Sequence, residues 1–149
     1  MKLHSAHLVA AALLAPSLAF ASLGGTVDSV QADQVQMKAA SRVASAKVNY
    51  SVHEMQGASG TVVREYVAAN GTVFGVAWSG PVMPNLRQIF GQYFETFANA
   101  PRVKVSGHSH LFIQQKGLIV RSSGRMRAFK GNAYIPTMLP QGVTADQIL

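Results

Sequence analysis

The dipeptide Asn70-Gly71 constrains the fold of this chain strongly, because it separates two runs of β-forming residues. Residues 61–68 and 72–78 are rich in β-branched and aromatic side chains. Asn-Gly is the preferred centre of a two-residue type I′ turn, in which both central positions need a positive φ. The segment therefore predicts an antiparallel hairpin whose strands are joined at Asn70-Gly71.

That turn also predicts which residues face each other across the hairpin. The opposing pairs on one face would be Val67–Phe74, Glu65–Val76 and Val63–Trp78. This face is apolar except for Glu65, and an unpaired buried carboxylate is very costly. We therefore predict that Glu65 is a structural buried charge, paired with an Arg of the last hairpin or with backbone donors.

One amphipathic helix is predicted between the hairpin and the C-terminal third. Apolar side chains recur at i, i+3, i+4, i+7, i+8 and i+11, at Leu86, Ile89, Phe90, Tyr93, Phe94 and Phe97. Pro84 suits the first turn of a helix, and Pro101 prevents its continuation. This stripe is typical of a helix that covers a sheet.

The C-terminal third returns to β-forming residues. Two short runs occupy residues 111–114 and 118–122, and a longer run occupies 125–135. The overall order predicts an α+β fold, a small, mostly antiparallel sheet with one amphipathic helix packed on one face. We expect residues 48–140 to form this single domain and residues 141–149 to be a tail.

Residues 1–21 are typical of a cleavable secretory signal. Lys2 gives a positive start, an apolar run follows, and Ala19-Phe20-Ala21 is a small-x-small cleavage pattern. The run is shorter than the roughly 20 residues that a membrane-spanning helix needs. We predict cleavage after Ala21, a periplasmic or secreted protein, and no transmembrane anchor afterwards, with an uncleaved anchor as the alternative. Residues 22–47 are mostly small and polar and are expected to be poorly ordered.

Composition excludes several kinds of chemistry. The chain has no Cys, which rules out disulfides, thiol nucleophiles and thiolate metal sites. Loss of Lys2 with the signal changes the formal net charge from +7 to +6. This excess of positive charge attracts anionic surfaces. Neither a nucleic-acid motif nor a cofactor fingerprint accompanies this charge, so we expect no specific nucleic-acid binding and no cofactor.

The strongest candidate for a metal site is the pair His108 and His110. On a strand, their imidazoles would share a face and could hold one ion, with Glu54 or His53 as a third ligand. A small metal-dependent hydrolase using His108, His110 and Glu54 is therefore one hypothesis. A polar loop with two solvated imidazoles is the alternative, and we favour it because the spacing fixes no third ligand.

Four cations surround the expected last hairpin and form a candidate site for an anionic partner, namely Arg121, Arg125, Arg127 and Lys130. Positive charge on an edge strand also prevents edge-to-edge pairing with another sheet. We favour the protective role for these residues and keep the anion site as the functional hypothesis.

Several stretches resemble a family of exported Gram-negative proteins, that of domain of unknown function 2844. They are Ser22-Leu23-Gly24-Gly25, Tyr50-Ser51-Val52-His53-Glu54, Val63-Arg64-Glu65-Tyr66-Val67, Gly71-Thr72-Val73-Phe74, Trp78-Ser79-Gly80-Pro81, Pro84-Asn85-Leu86, Met126-Arg127-Ala128-Phe129 and Gly131-Asn132-Ala133-Tyr134-Ile135-Pro136. The resemblance implies an exported protein. It carries over no catalytic residue, because the family has no established activity. Genes of this family often lie beside a gene for another exported protein. The resemblance therefore implies that the partner is an exported protein.

Together these patterns favour an exported, non-catalytic binding or envelope accessory protein over an enzyme. No nucleophile stands at a recognisable spacing from a general base, and no carboxylate pair is placed for acid–base work, so no catalytic residue is assigned. The expected partner is another exported protein or an anionic envelope component. The metal-dependent hydrolase remains the alternative.

Overall fold

The computed structural model describes residues 23–39, 41–101 and 110–149, which are organised around one antiparallel sheet of seven strands. The strands are β1 (Arg42–Ala46), β2 (Tyr50–Gln56), β3 (Val62–Ala68), β4 (Val73–Gly80), β5 (His110–Gln115), β6 (Leu118–Arg125) and β7 (Ala128–Tyr134). Their order across the sheet is β1-β2-β3-β4-β7-β6-β5, and every neighbouring pair is antiparallel. The sheet therefore joins two meanders, β1–β4 and β5–β7, along the β4–β7 pair.

The helices are short and lie at two places in the chain. They are α1 (Val27–Gln36), α2 (Leu86–Phe90) and α3 (Phe94–Ala98), with 3-10 turns at Gly91–Tyr93, Pro136–Met138 and Ala145–Gln147. In the part of the chain that the structure describes, no helix has the length and apolar character needed to cross a bilayer.

The predicted fold, a small sheet with one packed amphipathic helix, is wrong. The seven-stranded sheet dominates the molecule, and the expected helix is split into α2, a 3-10 turn and α3. Gly91 interrupts the helix because it adopts a φ of 47°, outside the right-handed helical region. A further helix, α1, and the strand β1 lie within the segment that was expected to be poorly ordered.

The β3–β4 hairpin has the expected register over most of its length. Glu65 lies opposite Val76, but a bulge near the turn puts Val67 opposite Val73. Only Gly71 of the Asn70-Gly71 pair has a positive φ, and its N–H donates to the carbonyl of Ala68 at 2.8 Å. The connection is thus a three-residue turn ending in a left-handed glycine, which adds the bulge that a type I′ turn would lack.

One face of the sheet carries the larger core, beneath the helices. Trp78 of β4 lies with its ring centroid 5.8 Å from that of Phe90, which in turn stacks edge-on to Phe97 at 5.0 Å. Ile89, Phe90 and Phe97 are the buried residues of the predicted helical stripe. Edge-to-face aromatic contacts of this kind add to the gain from apolar burial.

The other face is covered over only part of its width, by the C-terminal segment. Ile148 is fully buried against Tyr66, Phe74 and Tyr134. The hydroxyl of Tyr66 donates to the carbonyl oxygen of Leu149 at 2.7 Å. The segment that was expected to be a tail therefore completes a second apolar cluster, while the side chains of β5 and β6 beyond it stay accessible.

The first described residues are also built into the fold. Leu23 is fully buried, and its N–H donates to the carbonyl of Ile89 at 3.1 Å. The N–H of Gly24 donates to the carbonyl of Val73 at 2.8 Å. Gly24 has a φ of +81°, and a Cβ there would lie 2.8 Å from the Tyr93 ring, so a larger residue would be strained and crowded.

Candidate functional site

A groove of about 530 Å³ lies on the open part of the second face, beside the C-terminal segment. It runs across four strands in the order β4, β7, β6 and β5. Leu149 of the C-terminal segment is among its lining residues. We call this feature the basic groove, and its size is typical of sites that hold a small ligand.

Two rows of side chains form the floor of the basic groove, because cross-strand partners share a face. The first row is Ser79, Lys130, Ser123 and His110. The second row is Asn132, Arg121 and Phe112, and it continues to Ala77, which is buried beneath the C-terminal segment. At the usual separation of neighbouring strands, each row is about 14 Å long.

Arg121 and Lys130 give the groove its charge. They lie diagonally across the β6–β7 pair, because Arg121 pairs with Asn132 and Lys130 with Ser123. Neither side chain makes an ion pair or a hydrogen bond within residues 23–39, 41–101 and 110–149. No Asp or Glu is among the described residues that line the groove. The two positive charges are therefore available to an anion.

An aromatic ring lies next to these charges. Phe112 is 39% exposed, and the guanidinium carbon of Arg121 is 5.9 Å from its ring centroid. This distance is within the range of a cation–π contact. Asn132 is oriented by the C-terminal segment, since its Nδ2 donates to the carbonyl of Ile148 at 2.7 Å. The floor thus offers charge, hydrogen-bonding groups and an exposed aromatic ring.

The four predicted cations are divided between two neighbouring places. Arg121 and Lys130 belong to the basic groove, whereas Arg125 and Arg127 lie at the β6–β7 turn. Arg125 pairs with Ala128, and Arg127 has a φ of 61° in the turn itself. A second depression, lined by Lys130, Arg125 and Arg127, adjoins the groove. The sequence identified the cations but could not separate these two positions.

The structure does not bring together the described members of the predicted metal site. Glu54 is on β2 and accepts a hydrogen bond from Nε of Arg64 at 2.7 Å. His110 is on β5, five strand spacings away, which is about 24 Å. His108 lies outside the described residues. Among the described residues, no three His, Asp or Glu are close enough to hold a metal ion.

His53, the other suggested ligand, is on the opposite face from the basic groove. It pairs across the strands with Glu65, beneath the helices, and is buried. Its Nε2 lies 3.1 Å from Oγ of Ser51. Burial lowers the pKa of His53, and the charge of Arg42 lowers it further. We therefore assign this imidazole to the interior of the fold.

Glu65 is fully buried, but its neighbour is a second carboxyl group. Asp33 of α1 is also fully buried and interacts with Glu65. Burial raises the pKa of Asp33 to about 6. Burial and then the charge of Asp33 raise the pKa of Glu65 well above its usual value. Gln88 of α2 donates to Oδ1 of Asp33 at 2.8 Å.

The expected Arg partner from the last hairpin is absent from this cluster, because Arg121 and Arg125 project from the opposite face. Arg42 of β1 is the cation that partly offsets the raised pKa of Glu65. Sequence reasoning missed Asp33 because it did not predict α1. Both carboxyls lie beneath that helix, out of reach of a substrate, so we treat them as part of the core.

The chain belongs to the family described as protein of unknown function DUF2844, whose model matches residues 19–148. This match confirms the resemblance inferred from the sequence. No curated protein and no solved structure matches the chain. The family description assigns no activity, so any functional conclusion depends on the site itself.

Proposed function

We propose that this protein is exported and non-catalytic, and that its basic groove binds an anionic component of the cell envelope. The observation that carries the proposal is that Arg121 and Lys130 face the groove without a carboxylate partner among the described residues. Both side chains are exposed and can reach an anion, and attraction between exposed charges weakens as salt rises. Export is supported by the pattern of residues 1–21.

Binding fits the groove better than catalysis does. Ser123 lies between Lys130 and His110 in the first row. A serine beside two possible bases is a candidate nucleophile. An activated serine needs a hydrogen bond to its base. In the described part of the chain, Ser123 makes no side-chain hydrogen bond to either residue. We propose on this basis that the polar row binds a ligand rather than reacting with it.

The groups on the floor favour a phosphorylated saccharide as the ligand. Arg121 and Lys130 would hold the phosphate, because charge-assisted hydrogen bonds to phosphate are strong. The hydroxyls of Ser79 and Ser123 would pair with sugar hydroxyls. The exposed ring of Phe112 would lie against the apolar face of a sugar ring. A row about 14 Å long has room for about two sugar units.

Titration of the purified protein with glucose 6-phosphate, followed by NMR chemical shifts, would test the proposal. We expect shifts at Arg121, Phe112 and Lys130, and weaker binding as salt rises. Arg121→Gln and Lys130→Gln should each weaken binding about tenfold, the effect of one lost charge-assisted hydrogen bond. Unphosphorylated glucose should bind more weakly.

The matched control is Lys116→Gln, an exposed cation in the β5–β6 turn at the other end of the strands. It removes the same charge without touching the groove, so binding should be unchanged. Equal losses in Lys116→Gln and Lys130→Gln would mean that net charge alone attracts the ligand. That result, or equal affinity for glucose and its phosphate, would contradict the proposal.

A further inference from the structure

Three apolar side chains are exposed at the end of the sheet where β4 ends and β6 turns into β7. Met126 is 92% exposed, Val82 is 51% exposed and Met83 is 37% exposed. Pro81, which precedes Val82, lines the same depression as Arg125 and Arg127. We call this feature the hairpin end. It consists of Val82, Arg125, Met126 and Arg127, whereas Met83 lines a separate depression beside α1 and α2.

The loop that presents Val82 is held firmly rather than left loose. Oγ1 of the buried Thr61 donates to the carbonyl of Val82 at 2.6 Å and accepts from its N–H at 3.2 Å. Gly80 allows this approach, because a Cβ there would lie 2.5 Å from Cα of Thr61. These hydrogen bonds fix the backbone of Val82 in a conformation that keeps its side chain exposed to solvent.

The charges around these apolar side chains are all positive. Met126 stands between Arg125 and Arg127 in the turn, and Lys130 lines the adjoining depression. No carboxylate occurs among the described residues of that depression. None of these cations is ion-paired in the described part of the chain. Exposed apolar side chains flanked by cations match the interface of an anionic bilayer, in which acyl chains lie below negative headgroups.

We propose that the hairpin end docks onto an anionic lipid bilayer, with Met126 and Val82 entering the headgroup region and Arg125 and Arg127 contacting lipid phosphates. A bilayer suits this end better than a protein partner, because the apolar side chains are few and separated by cations. A protein interface would present a continuous apolar centre with the charges at its rim. This docking does not depend on the ligand of the basic groove.

Co-sedimentation of the purified protein with vesicles tests the proposal. Vesicles of phosphatidylglycerol mixed with phosphatidylcholine should bind the protein, and vesicles of phosphatidylcholine alone should bind it weakly. Arg125→Glu combined with Arg127→Glu should weaken binding to the mixed vesicles at least about 30-fold, from the usual attraction of each cation to an anionic surface. Met126→Ser should weaken it about tenfold through lost apolar contact.

Matched controls lie at the opposite end of the sheet. Lys47→Glu combined with Lys116→Glu makes the same change in net charge, at the β1–β2 and β5–β6 turns. Val48→Ser removes an exposed apolar side chain from the β1–β2 connection, where Val48 is 97% exposed. Both controls should bind the mixed vesicles within about twofold of the parent protein, because the residues that they change would face away from the membrane.

Three results would overturn the proposal. They are equal binding to both kinds of vesicle, unchanged binding in the Met126 and double-Arg variants, and losses in the controls as large as in those variants. Self-association that is lost on Met126→Ser, without vesicle binding, would assign the hairpin end to a second copy instead. Because all these substitutions lie outside the basic groove, intact binding of glucose 6-phosphate would show that only the docking proposal had failed.

Discussion

Asp33 of α1 and Glu65 of β3 place two carboxyl groups against each other in the interior, beneath the helix. The contact joins the N-terminal helix to a central strand of the sheet. Two adjacent carboxylates in a dry site repel each other, so burial of the pair favours the protonated, neutral form of at least one of them. The stability of the fold should therefore depend on protonation of this pair.

Raised pKa values give that dependence a definite sign. Asp33 has a pKa of about 6, above its unfolded value of 3.8, and the pKa of Glu65 is raised further above normal. The folded state thus binds protons more tightly than the unfolded state, so stability should fall as pH rises from about 4 through about 6 and beyond. Arg42 and His53 also face this cluster, and the lowered pKa of His53 acts in the opposite direction below about pH 6.5.

Glu65→Gln isolates the contribution of the pair, because His53 is common to both proteins. The new amide can donate to Asp33 and stabilise its ionised form. We expect the variant to be more stable than the parent at pH 8 by on the order of 2–3 kcal/mol, with a flatter pH profile. Thermal unfolding between pH 4 and 8 measures this; a loss of equal size at every pH would contradict the link between stability and protonation of the pair.

Phe90→Ala should cost about 3–5 kcal/mol, because its ring is fully buried between Trp78 and Phe97. Phe94→Ala should cost less, since Phe94 is only partly buried against this cluster. Gln92→Ala, at an exposed position of the same segment, should cost under about 0.5 kcal/mol. Urea unfolding of the three variants checks the order; equal costs would show that the segment does not hold the core together.

Thr61→Val should loosen the loop that carries Val82. The substitution keeps the volume but removes both hydrogen bonds of the hydroxyl to the Val82 backbone. We expect a cost of about 1–3 kcal/mol, because the partly buried N–H and carbonyl of Val82 would then lose this partner. Amide exchange at Val82 should become faster, while exchange at Leu118 in the distant strand β6 should not change. Unaltered exchange at Val82 would mean that the loop is held by other contacts.

Mass spectrometry of the exported protein should find Ser22 at its N-terminus, as the Ala19-Phe20-Ala21 pattern predicts. Leu23 is fully buried, so cleavage two or more residues further along would remove a core side chain. Such a protein would lose about 2–5 kcal/mol, the usual cost of deleting a buried Leu side chain. Detection of a chain that begins at Met1 in the exported fraction would contradict the cleavage site.

The sequence predicts the β3–β4 register because the turn and both strands are local. It does not predict α1, since Val30 and Asp33 are the buried positions among the described side chains of that helix, while Val27 and Val35 are exposed. An apolar pattern in which one inward position is an acid and two outward positions are Val carries little helical signal. The partner that stabilises Asp33 is supplied by tertiary structure, through Gln88 and Glu65.

The same limit applies to the candidate site. The cations of β6 and β7 could be identified in the sequence because these strands form a hairpin. Ser79, by contrast, reaches the groove only through the β4–β7 pairing, and Phe112 through β5–β6. The first of these contacts joins residues far apart in the chain, and no local pattern encodes it. The sequence therefore predicted where positive charge lies but not the surface into which it is set.

The β4–β7 pair has a consequence for how the protein folds. The other strand pairs of the described sheet join consecutive strands through short turns, so each can form soon after collapse. Only β4–β7 must close a long loop, which makes its pairing the slow, entropically costly event. Until it forms, β4 and β7 are unprotected strand edges. The long separation of β4 from β7 in the chain thus limits the folding rate and sets how long newly made chains are exposed to aggregation.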